Sequence, residues 1–168
     1  MSRVIARRIT QLDAYRAAAT VLGYMNFGAE FAAEVFVQQA LLDNKQLLLP
    51  KVNRDTRQLE LYQVNNLARD VAPGLWDIPE PRIGQCEKVD ELASVDLILL
   101  PGVAFSRDGA RLGYGGGVYD KLLERITHRP VLVAAAFAVQ VVEHIPQEDT
   151  DRKVQWLITE QETIFCAG

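Results

Sequence analysis

The sequence is poor in the residues that build metal and disulfide sites: its 168 residues include two cysteines and two histidines. Cys86 and Cys166 lie too far apart for the close pairs of a zinc or dithiol site. A scaffold stapled by disulfides would carry more cysteine, so a reducing compartment is expected. His128 and His144 have no cysteine near them and read as satisfied polar groups, so neither histidine is expected to bind metal. No apolar run is long enough to span a bilayer, and residues 1–8 lack the apolar core of a signal peptide. The expectation is a cytoplasmic protein with no membrane partner. Positive charge is not in excess either. Eighteen Lys and Arg against 22 Asp and Glu give a net charge of −4, whereas a nucleic-acid-binding surface favours a basic stripe. No nucleic-acid partner is expected. Repeats, low-complexity stretches and linkers are all missing, which predicts one domain over residues 1–168.

What is present is an ordinary globular composition, 49% hydrophobic and 24% charged. Residues 2–19 carry Val4, Ile5, Ile9, Leu12 and Tyr15 at helical spacing with arginines between them, predicting one amphipathic helix. Residues 20–25 read as a buried strand, 30–43 as a helix, and 46–50 and Gln58–Val64 as strands. Pro73, Gly74, Pro79 and Pro81 exclude a regular helix there. An apolar strand at 95–100 precedes a glycine-rich loop and a helix at 118–127. An apolar run at 130–137, a short helix at 139–144 and a last strand at 154–159 complete the chain. Fully apolar strands alternating with helices predict a three-layer α/β/α fold with a mostly parallel central sheet and helices on both faces.

The chemistry concentrates in residues 99–125. A buried strand ends at Leu100, and Gly113, Gly115, Gly116 and Gly117 then lead into a helix. Ligands of α/β sheets sit at the carboxyl ends of strands. Glycines let the backbone approach a phosphate, and helix-start N–H groups point at it. Arg107, Arg111, Lys121 and Arg125 flank the loop and are expected to gather around one anion. Asp120 admits two readings, a magnesium ligand beside phosphate oxygens or an acid favoured by the helix dipole. The run also admits two, a phosphate cradle or a turn that happens to be rich in glycine. It is neither a Walker A motif nor a dinucleotide fingerprint.

Pro101-Gly-Val-Ala-Phe followed by Gly109-Ala-Arg-Leu-Gly-Tyr-Gly-Gly-Gly-Val-Tyr-Asp resembles the signature of the 5-formyltetrahydrofolate cyclo-ligase (methenyltetrahydrofolate synthetase) family. Residues 24–30, Trp76-Asp-Ile-Pro-Glu-Pro, Phe137, Gln140, Ile145-Pro146 and Asp151 match further family elements in the same order. The resemblance implies an ATP- and Mg2+-dependent ligase. The N5-formyl oxygen of 5-formyltetrahydrofolate is phosphorylated and N10 attacks the activated carbon, giving 5,10-methenyltetrahydrofolate, ADP and phosphate. It further implies that Arg111, Leu112, Gly113, Tyr114, Gly115, Gly116, Gly117, Val118 and Tyr119 hold ATP, with Arg111, Tyr114 and Tyr119 acting in catalysis. Tyr114, Gly115, Gly116, Gly117 and Val118 would also face the reduced folate, together with Met25, Glu30 and Trp76. Asp120 and Asp151 would hold magnesium. Each carries a plainer alternative: Met25 and Trp76 as core, Glu30 as a first-turn helix acid, Asp151 as part of a solvated loop.

The sequence departs from the family pattern in several places. The family's first basic helix has no counterpart ahead of residue 2, Val118 replaces a usual aromatic, Gly116 replaces a lysine of some members, Ala33 replaces a frequent Thr and Gln155 a frequent Asp. The alternative function is a divergent, non-catalytic folate- or nucleotide-binding protein. The expected state is a monomer or weak homodimer.

Overall fold

The computed structural model describes residues 1–26, 31–74, 77–147 and 152–166. The amphipathic stretch at the start forms two helices, α1 (Ser2–Thr10) and α2 (Asp13–Ala17), rather than one. Leu12 between them is extended, with φ −66° and ψ 137°. The break lets both Leu12 and Tyr15 enter the core. Lys45 secures the end of α2 by donating to the carbonyls of Tyr15, Arg16 and Ala18 at 2.8, 3.2 and 2.6 Å.

The chain continues through β1 (Thr20–Leu22), α3 (Ala33–Leu42), β2 (Gln46–Asn53), β3 (Gln58–Val64), α4 (Leu67–Asp70), β4 (Val71–Pro73), β5 (Pro79–Pro81) and β6 (Glu87–Val89). It then forms β7 (Leu97–Leu100), β8 (Ala104–Ser106), β9 (Arg111–Leu112), α5 (Val118–Arg125), β10 (Val131–Ala135), β11 (Val141–Val142), β12 (Trp156–Ile158) and β13 (Thr163–Phe165). The short helix expected at 139–144 is instead a 3-10 turn, Ala138–Gln140, running into β11. β11 pairs with β8, which draws this stretch out extended.

The main sheet has the order β13-β12-β10-β7-β1-β2-β3-β6. Its five inner strands, β12 to β2, are parallel, while β13, β3 and β6 pair antiparallel at the edges. Alternate residues of each strand feed opposite faces, as the two-residue pleat requires. Val21, Leu47, Leu97, Leu99 and Val133 pack with α1, α2 and α3. Leu22, Leu48, Ile98, Leu100 and Leu132 pack with α5 and β8. The result is the three-layer arrangement with a mostly parallel sheet. Among the described residues no helix is long and apolar enough to cross a membrane.

One departure from a flat-ended sheet shapes the site. β1 pairs with β2 only from Thr20↔Gln46 to Leu22↔Leu48. β2 runs on with β3 as its partner, through Pro50↔Leu61 to Asn53↔Gln58. The two strands therefore project as a ribbon beyond the carboxyl ends of the parallel strands.

Candidate active site

A cavity of about 410 Å3 opens where β1 and β7 end. Tyr24, Met25 and Pro101, just past those strands, form its floor, and Pro50, Lys51, Val52 and Leu59 of the β2–β3 ribbon form one wall. Tyr114 and the first residues of α5, Val118 and Tyr119, form the opposite wall. Ile78, Pro79 and Glu80 close a third side from the β4–β5 hairpin. This is the carboxyl-end crevice in which α/β folds bind ligands, and most of its lining is apolar.

The segment after β7 does not run straight into the glycine loop. β8 and β9 form a hairpin that folds residue 111 back over the end of β7. Its turn is held by Asp108, which accepts from Ser106 Oγ and from Lys153 Nζ. These two donors hold the Asp108 carboxyl down at about 2. Gln140 braces the same region by donating to the Val103 carbonyl at 3.2 Å. Arg111 is thereby fixed in place. Its Nη1 donates to the Pro101 carbonyl at 3.0 Å and its Nη2 to Asp120 Oδ1 at 3.1 Å. Its side chain is 9% exposed while that of Asp120 is 55% exposed. A guanidinium at the foot of the loop thus meets a carboxylate open to solvent.

The loop enters α5 through Gly117, which takes the left-handed conformation, φ 66° and ψ 14°, favoured by glycine. Among the described residues no side chain caps α5. The contrast with α3 is informative. There Ser2 Oγ accepts from Ala32 N at 3.0 Å and Asn26 Oδ1 from Ala33 N at 3.2 Å. The first N–H groups of a helix have no partner within it. At α3 side chains satisfy two amides of the entry, whereas at α5 no side-chain cap is formed among the described residues, and the dipole at such an entry favours an anion. Tyr119 lies half-buried beside it. Burial pushes its hydroxyl well above the ordinary tyrosine range, against the opposing charge of Arg111. It remains a neutral donor throughout the physiological range.

The expected gathering of four cations does not occur. Arg107 pairs with Glu162 on another face, and Arg125 donates to the Leu59 carbonyl at 2.7 Å. Lys121 is exposed on α5. Only Arg111 is built into the loop, because the β8–β9 turn sends Arg107 outward while β9 carries residue 111 inward. Of the other site residues read from the sequence, Met25, Tyr114, Val118 and Tyr119 line one cavity. Leu112 is exposed in β9, and Gly113, Gly115 and Gly116 form the turn between it and α5. Glu30, Trp76 and Asp151 lie outside the described residues. Sequence reasoning missed Lys51, Arg54, Ile78 and Glu80. Lys51 follows Leu47 and Leu49 in the inward register of β2, so a charge at that position was itself a signal. Lys51 Nζ meets Glu80 Oε2 at 2.9 Å, their side chains 26% and 17% exposed.

Residues 1–160 match the model of the 5-formyltetrahydrofolate cyclo-ligase family. The chain is 32% identical over 153 residues to a probable 5-formyltetrahydrofolate cyclo-ligase of Caenorhabditis elegans, covering 84% of this chain and 73% of the relative. It is 26% identical over 167 residues to the 5-formyltetrahydrofolate cyclo-ligase of Mus musculus, covering 95% and 82%. The NMR structure of Aquifex aeolicus 5,10-methenyltetrahydrofolate synthetase superposes with a TM-score of 0.82 at 32% identity, over 99% of this chain and 81% of that one. A carboxyl-end cavity walled by a glycine loop, set in a fold shared with a methenyltetrahydrofolate synthetase and in a sequence matched over residues 1–160, has one consistent reading: the chain belongs to the 5-formyltetrahydrofolate cyclo-ligase family.

Proposed function

We propose that this ligase converts 5-formyltetrahydrofolate to 5,10-methenyltetrahydrofolate in the cavity between the β2–β3 ribbon and α5, with the ATP phosphates held by residues 111–119. The observation that carries the reading is the entry of α5, uncapped by any described side chain and opening on an apolar cavity large enough for a ring system. ATP bound with magnesium supplies the phosphoryl group that activates the N5-formyl oxygen, and attack by N10 then expels phosphate.

The residues supply position and charge, which is most of what phosphoryl transfer asks of a protein. Backbone amides of the 113–119 turn face the phosphates. Arg111, locked by Pro101 and Asp120, presents a fixed positive charge at their base. Tyr119 offers a neutral hydroxyl, and Tyr114 covers the opening. Met25 and Val118 supply apolar contact for the folate rings; by the family resemblance Trp76 would pack on those rings and Glu30 would accept hydrogen bonds from the pterin N–H groups. Asp120 fits a magnesium ligand. One of its oxygens engages Arg111 while the carboxylate stays exposed beside the helix entry, and magnesium needs only one or two carboxylates when phosphates complete its shell. Asp151 would be the second.

The test is the ultraviolet absorbance of 5,10-methenyltetrahydrofolate. It is expected to grow only when 5-formyltetrahydrofolate, ATP and magnesium are all present. Growth at an equal rate without ATP, or none with all three, defeats the reading.

A further inference from the structure

Among the described residues two cations line the cavity, Lys51 and Arg54. Lys51 is neutralised by Glu80. Among the described residues no hydrogen bond or ion pair engages Arg54, which is exposed at the tip of the β2–β3 ribbon. The turn that carries it is well fixed. Asn53 Oδ1 accepts from the amides of Asp55 and Thr56 at 2.9 and 3.2 Å, and the Asn53 carbonyl accepts from Arg57 N at 2.7 Å. The other arginines around the cavity are committed elsewhere, Arg111 to Asp120 and Arg125 to Leu59. The ribbon also carries Arg54 away from the floor: β2 continues five residues beyond Leu48, the last residue paired with β1, to Asn53.

From this placement we infer that Arg54 is the specificity-determining residue for the substrate's glutamyl tail, pairing with a tail carboxylate at the mouth while the rings lie against the floor. The inference rests on the folate reading above. A folate carries flat rings at one end and two carboxylates at the other, and among the described residues this cavity has an apolar floor and one uncommitted cation at its rim. A carboxylate leaving the cavity along the ribbon meets Arg54, whose planar guanidinium can donate two parallel N–H bonds to it. A phosphate of ATP has the same charge chemistry, so the test separates the two sources.

Steady-state kinetics of the whole chain decide it, comparing wild type, Arg54→Ala and Arg54→Lys. Arg54 is an exposed turn residue outside the glycine loop, so its replacement leaves the fold intact. Arg54→Ala is expected to raise KM for 5-formyltetrahydrofolate about tenfold, equivalent to about 1.4 kcal/mol, with kcat and KM for ATP unchanged. Arg54→Lys recovers part of the loss. With a substrate analogue whose glutamate is replaced by a plain carboxamide, wild type and Arg54→Ala have equal KM. Added salt raises KM for the natural substrate in wild type but not in Arg54→Ala, because exposed ion pairs are screened. An unchanged KM for the natural substrate, an equal rise with the amide analogue, or a rise in KM for ATP each overturns the inference. If wild type makes no product, the activity reading fails by itself. Calorimetric binding of 5-formyltetrahydrofolate to the same variants then decides the role of Arg54, and equal affinities, or none measurable in wild type, overturn it.

Discussion

Arg111 spends its guanidinium on two fixed partners, a backbone carbonyl and a carboxylate, before any ligand arrives. A side chain held in this way loses little freedom on binding and presents charge without rearrangement, which is how preorganised groups stabilise developing charge. Arg111→Ala is expected to reduce kcat about 100- to 1,000-fold. Asp120→Asn keeps the hydrogen bond from Arg111 but removes the charge. Its expected signature is a raised magnesium requirement, read by titrating activity against the metal. An unchanged magnesium dependence in the Asp120→Asn enzyme defeats the metal role and leaves Asp120 as a partner of Arg111 and of the helix dipole.

Among the elements, the β4–β5 hairpin is joined to the ribbon by the Lys51–Glu80 pair, and Gly74 is what makes room for it. A Cβ at Gly74 would collide with the Glu80 carboxylate. Gly74→Ala is therefore expected to push that carboxylate off Lys51, cost about 1 kcal/mol in denaturant unfolding, and raise KM for the folate more than it lowers kcat. An equal KM would show that the hairpin wall does not depend on the pair. The longer elements were legible in the sequence. Gln58–Val64 is a strand with the bounds expected from the sequence, and the apolar β7 and the entry of α5 fall where their patterns place them. The rest was not legible for physical reasons. β8, β9, β11 and β13 have two or three residues each, too few to show a period, and they form because tertiary pairing supplies their partners. The end of α2 is held by Lys45, 27 to 30 residues further along the chain, collecting carbonyls that no local signal marks. At the site, the pattern identified Arg111 but also recruited Arg107 and Arg125, whose directions follow from the β8–β9 hairpin rather than from spacing.

For the molecule as a whole, the response to acid depends on a buried carboxylate outside the active site. Asp70 is 2% exposed. Its carboxyl is held down at about 2 by the Arg69 guanidinium first, and then by the amides of Asn65 and Asn66, against the cost of burial. Its unfolded value is near 3.8, so the unfolded chain takes up the proton first. The contribution to stability, about 2 kcal/mol by linkage, is present above pH 4 and is lost as pH falls toward 2. Asp70→Asn is expected to lower stability at neutral pH and to flatten the loss between pH 4 and 2, as measured by denaturant unfolding across that range. A mutant curve parallel to wild type would assign the acid sensitivity elsewhere.

The outermost strands of the main sheet, β13 and β6, are each three residues long. An unpaired strand margin is the usual template for fibril growth, and brevity is one of the ways natural proteins blunt it. On β6 the margin also carries Glu87 and Lys88, the latter already bonded to Glu60. Concentrated solutions of the folded protein should accordingly resist cross-β stacking through either selvage, even though β10 and β7 between them are wholly aliphatic.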